Sequence, residues 1–495
     1  MNQQKTTLEK DPITEQIIDA LKSQEHTDAV RCTGKKKATE SKPFSYWLEK
    51  NHYYHYRLKK CYRNMIPEGM RVLALQCKNG YLLDAVKPSY GVGVDTDLAM
   101  ISEAKETYGR YQFYHGTLAD IDEQMPFDYI ILSHVTEVHD VQALFESLKP
   151  YCHTGTRIII DSISSLWQPF AWCAQKLGLC RPLRMKHRLH QDDIVNVLYL
   201  AQYQAVHQLQ VMLMPAYLPI FSTICNTILV HVPLLKHLCM HRFVVARPLF
   251  IKRDTQDYTV SVIIPCNNEK ATLEAVVSRM PQMGKFTELI FVDGHSTDGT
   301  FEEMKRVMHM YPEKSISIYK QKGKGKGDAV RLGFEYAIGD IVMILDAGLS
   351  VPPEELPKFY YALTENKGEC INGSRLEYNT ALYMMPSLFY LAHRLFSKIF
   401  SWLLNQPIKD ALCGTKVLWK DDYQMIMRNR QFFDISDTFG DFGLLQGAAK
   451  LHIKIIDIPI HYKKRATSKP LCDRLYEGLM LPVMSFLAMK RFKFK

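Results

Sequence analysis

The stretch YTVSVIIPCNNE, residues 258–269, decides the fold of the second half of the chain. Its apolar, β-branched run ends at Pro265, and the polar letters CNNE follow at once. A short apolar run of this kind predicts a buried strand, and polar residues directly after it predict a helix start. We therefore interpret this stretch as the first strand of an α/β unit and the turn that leaves it.

The alternation of apolar runs and helical segments continues downstream. ELIFVD (288–293), ISIYK (316–320) and DIVMILD (340–346) predict three further strands. Alternating strands and helices predict a doubly wound sheet, in which ligands bind beyond the carboxyl ends of the strands. We expect the polar residues after these strands to converge on one site.

Polar side chains follow three of these strands. Asn267 and Glu269 follow the first, Asp293 ends the second, and Asp346 ends the fourth. Each alone fits an ordinary helix cap or turn. Their shared position at strand ends is what predicts a binding site.

A glycine and lysine loop, KGKGKG at 322–327, precedes another predicted helix. Glycines let backbone amides approach a diphosphate, and the ammonium groups of Lys324 and Lys326 offset its charge. A solvated turn is the simpler interpretation of such a loop. Beside the acidic strand ends, however, it predicts binding of a nucleotide diphosphate.

The first half of the chain shows a second α/β pattern. Six segments predict its strands: VLALQ (72–76), GVGVD (91–95), YQFYHG (111–116), FDYIILS (127–133), TRIIIDS (156–162) and RFVVARPLF (242–250). The expected fold class is α/β with two doubly wound domains. The predicted boundaries are a disordered arm at 1–44, one domain at 45–250, a second at 251–470 and a basic amphipathic tail at 471–495.

Composition restricts the class of protein. The 495 residues carry a formal net charge of +10, and basic residues interleave with apolar ones after His461. This pattern favours a membrane surface over nucleic acid as a partner. The twelve cysteines include no CxxC pair, and the chain start has no apolar signal segment, so we expect reduced thiols and a cytoplasmic protein peripheral to the inner face of a membrane.

Taken in order, the second-half motifs resemble the family 2 glycosyltransferases, and within them the branch similar to dolichyl-phosphate mannosyltransferases. Residues 265–269 match a P-x-x-N-E segment, Asp293 matches the acid that reads the base, and Asp346 matches the first acid of a DxD metal motif. DALCGTK (410–416) and IPIHYKKRATSK (458–469) match two later motifs. The resemblance implies a GT-A fold that binds a nucleotide-sugar and a lipid-phosphate or glycan acceptor.

The resemblance also assigns roles to individual residues. The residues implied to bind the nucleotide-sugar are Pro265, Asn267, Glu269, Asp293, Lys324 and Lys326. Those implied to act in catalysis or on the acceptor are Asp346, Asp410, Lys416, Asp441, Arg465 and Lys469. Asp346 would also hold a divalent metal, Mg²⁺ or Mn²⁺.

Two positions depart from the family pattern. Gly348 stands where the DxD motif has its second acid, and Gly443 stands at another acidic position. A divalent cation prefers a cage of several oxygens. We therefore expect a weakened metal site.

Residues 46–250 resemble a class I S-adenosylmethionine methyltransferase, and the whole chain resembles fusions of such a domain with a glycosyltransferase. Asp95 ends the second strand, where an acid would bind ribose hydroxyls. In the glycine-rich cofactor loop, however, Gln76 and Lys78 replace glycines and only Gly80 survives. Side chains there would occupy the cofactor's space, so S-adenosylmethionine binding is not expected.

Three readings of function follow. The first is a glycosyltransferase that moves a sugar to a polyprenyl-phosphate or envelope-glycan acceptor. The second is a non-catalytic binding or scaffold protein in which both domains are degenerate. The third is a bifunctional methyltransferase and glycosyltransferase, which would need a working cofactor loop.

Overall fold

The computed structural model describes most of the chain, in the following ranges: 42–121, 125–181, 189–250, 258–377, 387–430, 441–461, 485–486, 488–489 and 493. Most of the predicted arm at 1–44 therefore lies outside the described residues, and so do residues 251–257 at the predicted boundary between the two domains. By contacts between residues the chain divides into two compact units. The smaller comprises residues 1–52 and 168–184, and the larger comprises 53–167 and 185–495.

Within the smaller unit, two helices are described, Phe44–Lys50 and Gln168–Lys176. The ammonium of Lys50 donates a hydrogen bond to the carbonyl of Gly178 over 2.7 Å. Phe44 is buried in this unit, and the guanidinium of Arg181 lies 5.4 Å from the centre of its ring.

The larger unit contains two sheets of seven strands each, and the first has the order β3-β2-β1-β4-β5-β7-β6. β1 to β5 pair in parallel, whereas β7 runs antiparallel to both β5 and β6. The strands are β1 Arg71–Leu75, β2 Tyr90–Asp95, β3 Gln112–His115, β4 Phe127–Leu132, β5 Cys152–Ile163, β6 Tyr203–Val211 and β7 His241–Pro248.

The second sheet has the order β10-β9-β8-β11-β13-β12-β14. β13 is antiparallel to both of its neighbours, and the other pairs are parallel. The strands are β8 Thr259–Cys266, β9 Phe286–Asp293, β10 Ser315–Lys320, β11 Ile341–Ile344, β12 Cys370–Ser374, β13 Lys416–Trp419 and β14 Ile455–Pro459.

Helices connect these strands. Beyond the two already given, the α-helices are His52–Met65, Tyr81–Ala85, Leu98–Thr107, Val141–Ser147, Gln191–Leu200, Phe221–Thr227, Leu273–Ser278, Thr300–Met310, Lys326–Tyr336, Leu356–Thr364, Ser387–Leu404, Lys420–Arg428 and Asp441–Lys450. The helix expected directly at CNNE begins later, at Leu273, after a short 3₁₀ turn.

Burial on both faces explains the continuous apolar run in β8. Ile263 packs into a core with Phe400 and Leu445, whereas its neighbours Val262 and Ile264 pack into a second core on the other face. Successive strand residues point to opposite faces of a sheet. A strand covered on both sides therefore needs apolar residues at every position.

Two sequence expectations need correction at the level of elements. β6 was not among the predicted strands, because YQAVHQLQV alternates polar and apolar residues without a continuous apolar run. The basic amphipathic tail predicted at 471–495 implied that Lys493 would face a membrane surface. Instead its ammonium donates to Oδ1 of Asn405 over 2.8 Å, and burial lowers its pKa to about 8.

No helix among the described residues is both long and apolar enough to cross a membrane. The connection from Val211 of β6 to His241 of β7 contains the helix Phe221–Thr227. Because His241 pairs with Ile163 at the end of β5, this connection emerges at the carboxyl edge of the parallel strands.

Candidate active site

The parallel strands of the second sheet bring the predicted polar clusters to one edge. Cys266 at the end of β8 pairs with Asp293 at the end of β9, and β11 runs parallel to β8 on its other side. Asp346 follows β11 by two residues. The strand ends thus converge as the sequence predicts, in the position where open α/β sheets bind ligands.

The CNNE turn is joined to the turn after β9 by its own side chains. The amide of Asn267 donates to the carbonyl of Gly294 over 2.6 Å, and Oδ1 of Asn268 accepts from the backbone of Thr297 over 2.9 Å. The backbone N–H of Glu269 donates to Oγ1 of Thr300 over 3.0 Å. These hydrogen bonds therefore shape the two loops, and Pro265 is the penultimate residue of the strand that leads into them.

Asp298 anchors the same pair of loops. Its carboxylate accepts from the backbone N–H of Lys270 over 3.3 Å and of Thr300 over 3.0 Å. Burial acts to raise the pKa of Asp298, but hydrogen bonds from Thr300 and Lys270 outweigh it and lower the pKa. The Asp298 carboxylate therefore stabilises the conformation of the two loops.

Asp293 lies buried at the base of the site, where Oδ1 accepts from the backbone of Ser296 over 3.2 Å. Gln321 is also buried and donates its backbone N–H to the carbonyl of Asp293 over 3.1 Å. The side-chain Oε1 of Gln321 has no hydrogen-bond partner among the described atoms. Sequence reasoning missed Gln321, although its place immediately after β10 is the signal that would have found it.

The glycine and lysine loop folds back toward the same turn. Nε2 of His295 donates to the carbonyl of Gly323 over 2.9 Å, and the backbone N–H of Gly323 donates to Oδ2 of Asp328 over 2.8 Å. These bonds fix the loop between β10 and the helix that begins at Lys326. Lys324 remains exposed to solvent.

The ammonium of Lys326 forms an ion pair with the carboxylate of Asp346, with 2.6 Å between Nζ and Oδ1. Gly414, just before β13, closes over this pair: a Cβ at Gly414 would lie 2.5 Å from Nζ of Lys326 and 2.6 Å from Oδ2 of Asp346. A side chain at this position would therefore displace the pair. Gly414 is a site residue that the sequence analysis did not single out, although it lies inside the quoted DALCGTK motif.

The described residues do not fit a divalent-cation site. Asp346 is already paired with a cation, and Gly348 provides no second carboxylate. In the described part of the chain, no three His, Cys, Asp or Glu side chains come together in a way that would hold a metal. A bound Mg²⁺ or Mn²⁺ would need several oxygens that this arrangement does not supply.

Two predicted acceptor-side residues are buried instead of facing a ligand. The carboxylate of Asp410 accepts from Nε of Arg375 over 2.7 Å and from Nη2 of Arg375 over 2.9 Å. Burial acts to raise the pKa of Asp410, but the Arg375 guanidinium holds it below its usual value. Lys416 is fully buried, and its ammonium donates to the carbonyl of Cys413.

Three other predicted residues cannot be placed. Arg465 and Lys469 lie outside the described residues. Asp441 begins the helix Asp441–Lys450, but its side chain is also outside them.

In the first sheet, the loop that follows β1 has a left-handed backbone at three residues. Gln76, Lys78 and Gly80 have φ values of +50°, +54° and +79°. With its amide oriented to satisfy both bonds, Gln76 donates to the carbonyls of Ser133, over 2.6 Å, and His134, over 3.2 Å. The Gln76 side chain therefore bridges the ends of β1 and β4.

Asp95 is engaged by the same loop. Its Oδ2 accepts from the backbone of Lys78 over 2.8 Å and its Oδ1 from the backbone of Asp97 over 2.9 Å. Both carboxylate oxygens thus already bind backbone N–H groups.

Residues 261–428 match the family model described as glycosyl transferase family 2. The C-terminal region contains a family 2 glycosyltransferase domain. The matched range includes Asp293, Lys326, Asp346 and Gly414, so this domain supplies the site described above.

Relatives of the glycosyltransferase domain carry names that refer to polyprenyl phosphates. A dolichol-phosphate mannosyltransferase from Pyrococcus furiosus is 33% identical over 215 residues, which are 42% of this chain and 57% of that protein. An undecaprenyl-phosphate 4-deoxy-4-formamido-L-arabinose transferase from Aeromonas hydrophila is 37% identical over 107 residues, 21% of this chain and 33% of its own. A dolichol-phosphate mannosyltransferase from Saccharomyces cerevisiae is 37% identical over 111 residues, 21% and 41%. The chain spans between 33% and 57% of the length of these relatives.

Proposed function

We propose that the glycosyltransferase domain moves a sugar from a nucleoside-diphosphate sugar to a polyprenyl phosphate at a membrane surface. The observation that carries this proposal is the Lys326 and Asp346 ion pair under Gly414, at the strand edge that also holds Asp293. The names of the relatives support the choice of acceptor. The protein would work as a peripheral protein on the cytoplasmic face.

The donor's base would bind beside Asp293. The buried, unpartnered Oε1 of Gln321 is an acceptor that a base N–H group would satisfy. A buried polar atom without a partner costs roughly 1–3 kcal/mol, so a ligand that pairs with it gains affinity. The diphosphate would then lie between the Asp293 turn and the loop that carries Lys324.

The reaction would be a displacement at the anomeric carbon of the sugar. An oxygen of the acceptor phosphate forms the new bond to that carbon, while the bond to the donor diphosphate breaks and the nucleoside diphosphate leaves with the electron pair. The acceptor oxygen is already anionic, so no strong general base is needed. The chain's main task would be to stabilise negative charge on the leaving diphosphate, and Lys326, held at the strand edge by Asp346, would supply a cation for it.

Binding and turnover are tested separately. Calorimetry on the full chain should show binding of UDP or GDP at millimolar concentration or better, and Asp293→Asn should weaken it. Transfer of labelled sugar to a short polyprenyl phosphate then tests the reaction. Absence of both UDP and GDP binding would refute the proposal.

A non-catalytic binding protein is the second candidate, because Asp346 is already neutralised by Lys326. This candidate predicts nucleotide binding with no transfer and no release of sugar from the donor. Both candidate functions therefore predict nucleotide binding, but only the glycosyltransferase predicts transfer of the sugar.

For the first sheet we propose a methyltransferase-like scaffold that does not use S-adenosylmethionine. The strand order β3-β2-β1-β4-β5 supports a doubly wound domain. The position of the Gln76 side chain between β1 and β4 argues against an active cofactor site and therefore against the bifunctional alternative.

A further inference from the structure

The connection between Val211 and His241 contains a helix whose polarity is reversed. In Phe221–Thr227 the buried residues are Ser222, Cys225 and Asn226. Phe221 and Ile224 are exposed on the opposite face, together with Ile228 just after the helix. A helix on the surface of a soluble protein normally buries its apolar face and exposes its polar one. This helix does the opposite.

The inward polar residues hold the segment in place. Oδ1 of Asn226 accepts from the backbone N–H groups of Leu213, over 2.7 Å, and Met214, over 3.0 Å. Its Nδ2 donates to the carbonyl of Met214 over 2.7 Å, and Nη2 of Arg57 donates to the carbonyl of Asn226 over 2.8 Å. The reversed polarity is therefore fixed by specific hydrogen bonds.

The connection carries six exposed apolar side chains, which we call the apolar ridge and define as Tyr217, Ile220, Phe221, Ile224, Ile228 and Leu234. Ile220 is 76% exposed and Leu234 is 84% exposed. Large exposed apolar surfaces of this kind mark sites that bind a partner or a membrane.

The connection that carries the ridge contacts the glycosyltransferase domain at His231. The ring of His231 lies edge-on to Trp402, with 6.4 Å between the ring centres. On the helix Ser387–Leu404, Leu391 and Leu395 are exposed and share a face with Trp402, since residues four and eleven positions apart align along a helix. Two parts of the chain thus present apolar side chains around one contact.

The charged residues near the ridge indicate which kind of partner it binds. No Asp or Glu occurs between Asp193 and Asp254, or between Glu377 and Asp410. The only charged side chains within the helix Ser387–Leu404 are the exposed cations Arg394 and Lys398. An apolar surface with cations and without acids matches the interface of an anionic bilayer.

We propose that the apolar ridge is a membrane-docking surface that inserts into an anionic lipid leaflet. The first sheet would then serve the glycosyltransferase domain by holding it at the bilayer that contains its acceptor. This assigns docking to described residues of the first half of the chain as well as to the tail expected from the sequence. The docking proposal rests on the proposed function only for the location of the acceptor. Vesicle binding is therefore measured without donor or acceptor, so that either proposal can fail while the other holds.

The test is flotation of the full chain with vesicles of phosphatidylcholine and phosphatidylglycerol. The double variant Ile220→Asp with Leu234→Asp removes apolar contact and adds negative charge, and it should lower the partition coefficient at least tenfold. The matched control is Leu98→Asp with Ile338→Asp, at side chains that are 61% and 68% exposed and outside the ridge. Leu98 follows β2, four strands away from β7 in the sheet. The control should bind within twofold of the unmodified chain.

The outcomes are distinct. Weaker binding of the unmodified chain to pure phosphatidylcholine vesicles supports the role of charge. If the ridge variant floats as well as the unmodified chain, the tail or another surface is the anchor and the inference is wrong. The unmodified chain could instead fail to bind vesicles and form a dimer, while the ridge variant is a monomer. In that case the ridge is a protein interface and the inference is also wrong. Equal thermal unfolding temperatures for the two double variants exclude misfolding as the cause.

Discussion

Glu369 accepts two hydrogen bonds from one nitrogen of Arg157, with Nη2 lying 2.9 Å from each carboxylate oxygen, although 212 residues separate them in the chain. Arg157 belongs to β5 of the first sheet, and Glu369 directly precedes β12 of the second. Arg247 of β7 also lies 3.7 Å from the same carboxylate. The two sheets of the larger unit are therefore joined by a buried group of two cations and one anion.

Replacing Glu369 with Gln should destabilise the protein by about 3–5 kcal/mol, because two buried guanidinium groups would lose their counter-charge. Chemical denaturation of the full chain measures this change. Glu354→Gln is the control: its pair with Arg279 is exposed to solvent, and loss of such a pair costs at most about 1 kcal/mol. Equal losses in the two variants would show that the buried group does not join the sheets energetically.

A second prediction concerns two histidines at the same junction. Nδ1 of His207 lies 2.9 Å from Nδ1 of His452, and both rings are buried. Burial lowers the pKa of His452 to about 3, and burial with the neighbouring His452 lowers the pKa of His207 well below its usual value. In the unfolded chain both would titrate near pH 6.5.

Between these values the unfolded chain binds more protons than the folded one, so stability should fall as the pH drops below about 6.5. The loss should approach about 1.4 kcal/mol per pH unit for each histidine. Unfolding free energies at pH 7.5, 6.5 and 5.5 measure the slope. His452→Gln should reduce it, whereas His309→Gln, at an exposed position, should leave it unchanged. A slope that is the same in all three proteins would contradict the prediction.

The sequence predicts the strands that lie in buried parallel pairs, because both faces of β8 or β11 demand apolar residues. It does not predict β6, where polar alternation is compatible with several structures. It places Asp346 at the site, but not the ion pair with Lys326, because that contact depends on how the loop after β10 folds beside β11. It also suggests Lys416 and Asp410 as ligand-facing residues, whereas Arg375 and the carbonyl of Cys413 bind them inside the fold. A charged residue in a sequence motif can thus be predicted to matter, but the motif does not show whether its side chain faces a ligand or the protein interior.

The first sheet should not bind S-adenosylmethionine. The left-handed backbone at Gln76 and Lys78 costs roughly 1–2 kcal/mol for each residue relative to glycine, and both residues stand where the cofactor loop that the sequence resembles has glycines. Millimolar cofactor should therefore leave the unfolding temperature of the full chain unchanged. The double variant Gln76→Gly with Lys78→Gly serves as the comparison, since it restores the glycines that the family pattern has. A rise of several degrees in the unmodified chain would show that the loop still binds the cofactor.

The last prediction is that Lys326 replaces much of the charge that a metal supplies in DxD relatives. Lys326→Ala should weaken UDP or GDP binding about tenfold or more, since a hydrogen bond to a charged group contributes roughly 1.5–3 kcal/mol. Lys324→Ala, at an exposed position in the same loop, should have a smaller effect.

Chelation of divalent metals should change nucleotide binding by the unmodified chain only slightly, because Asp346 is paired and Gly348 offers no ligand. Gly348→Asp adds a carboxylate and should raise the affinity for Mn²⁺, measured by calorimetry. If the unmodified chain already binds Mn²⁺ as tightly as Gly348→Asp, the ion pair opens for the metal and Lys326 does not take its place.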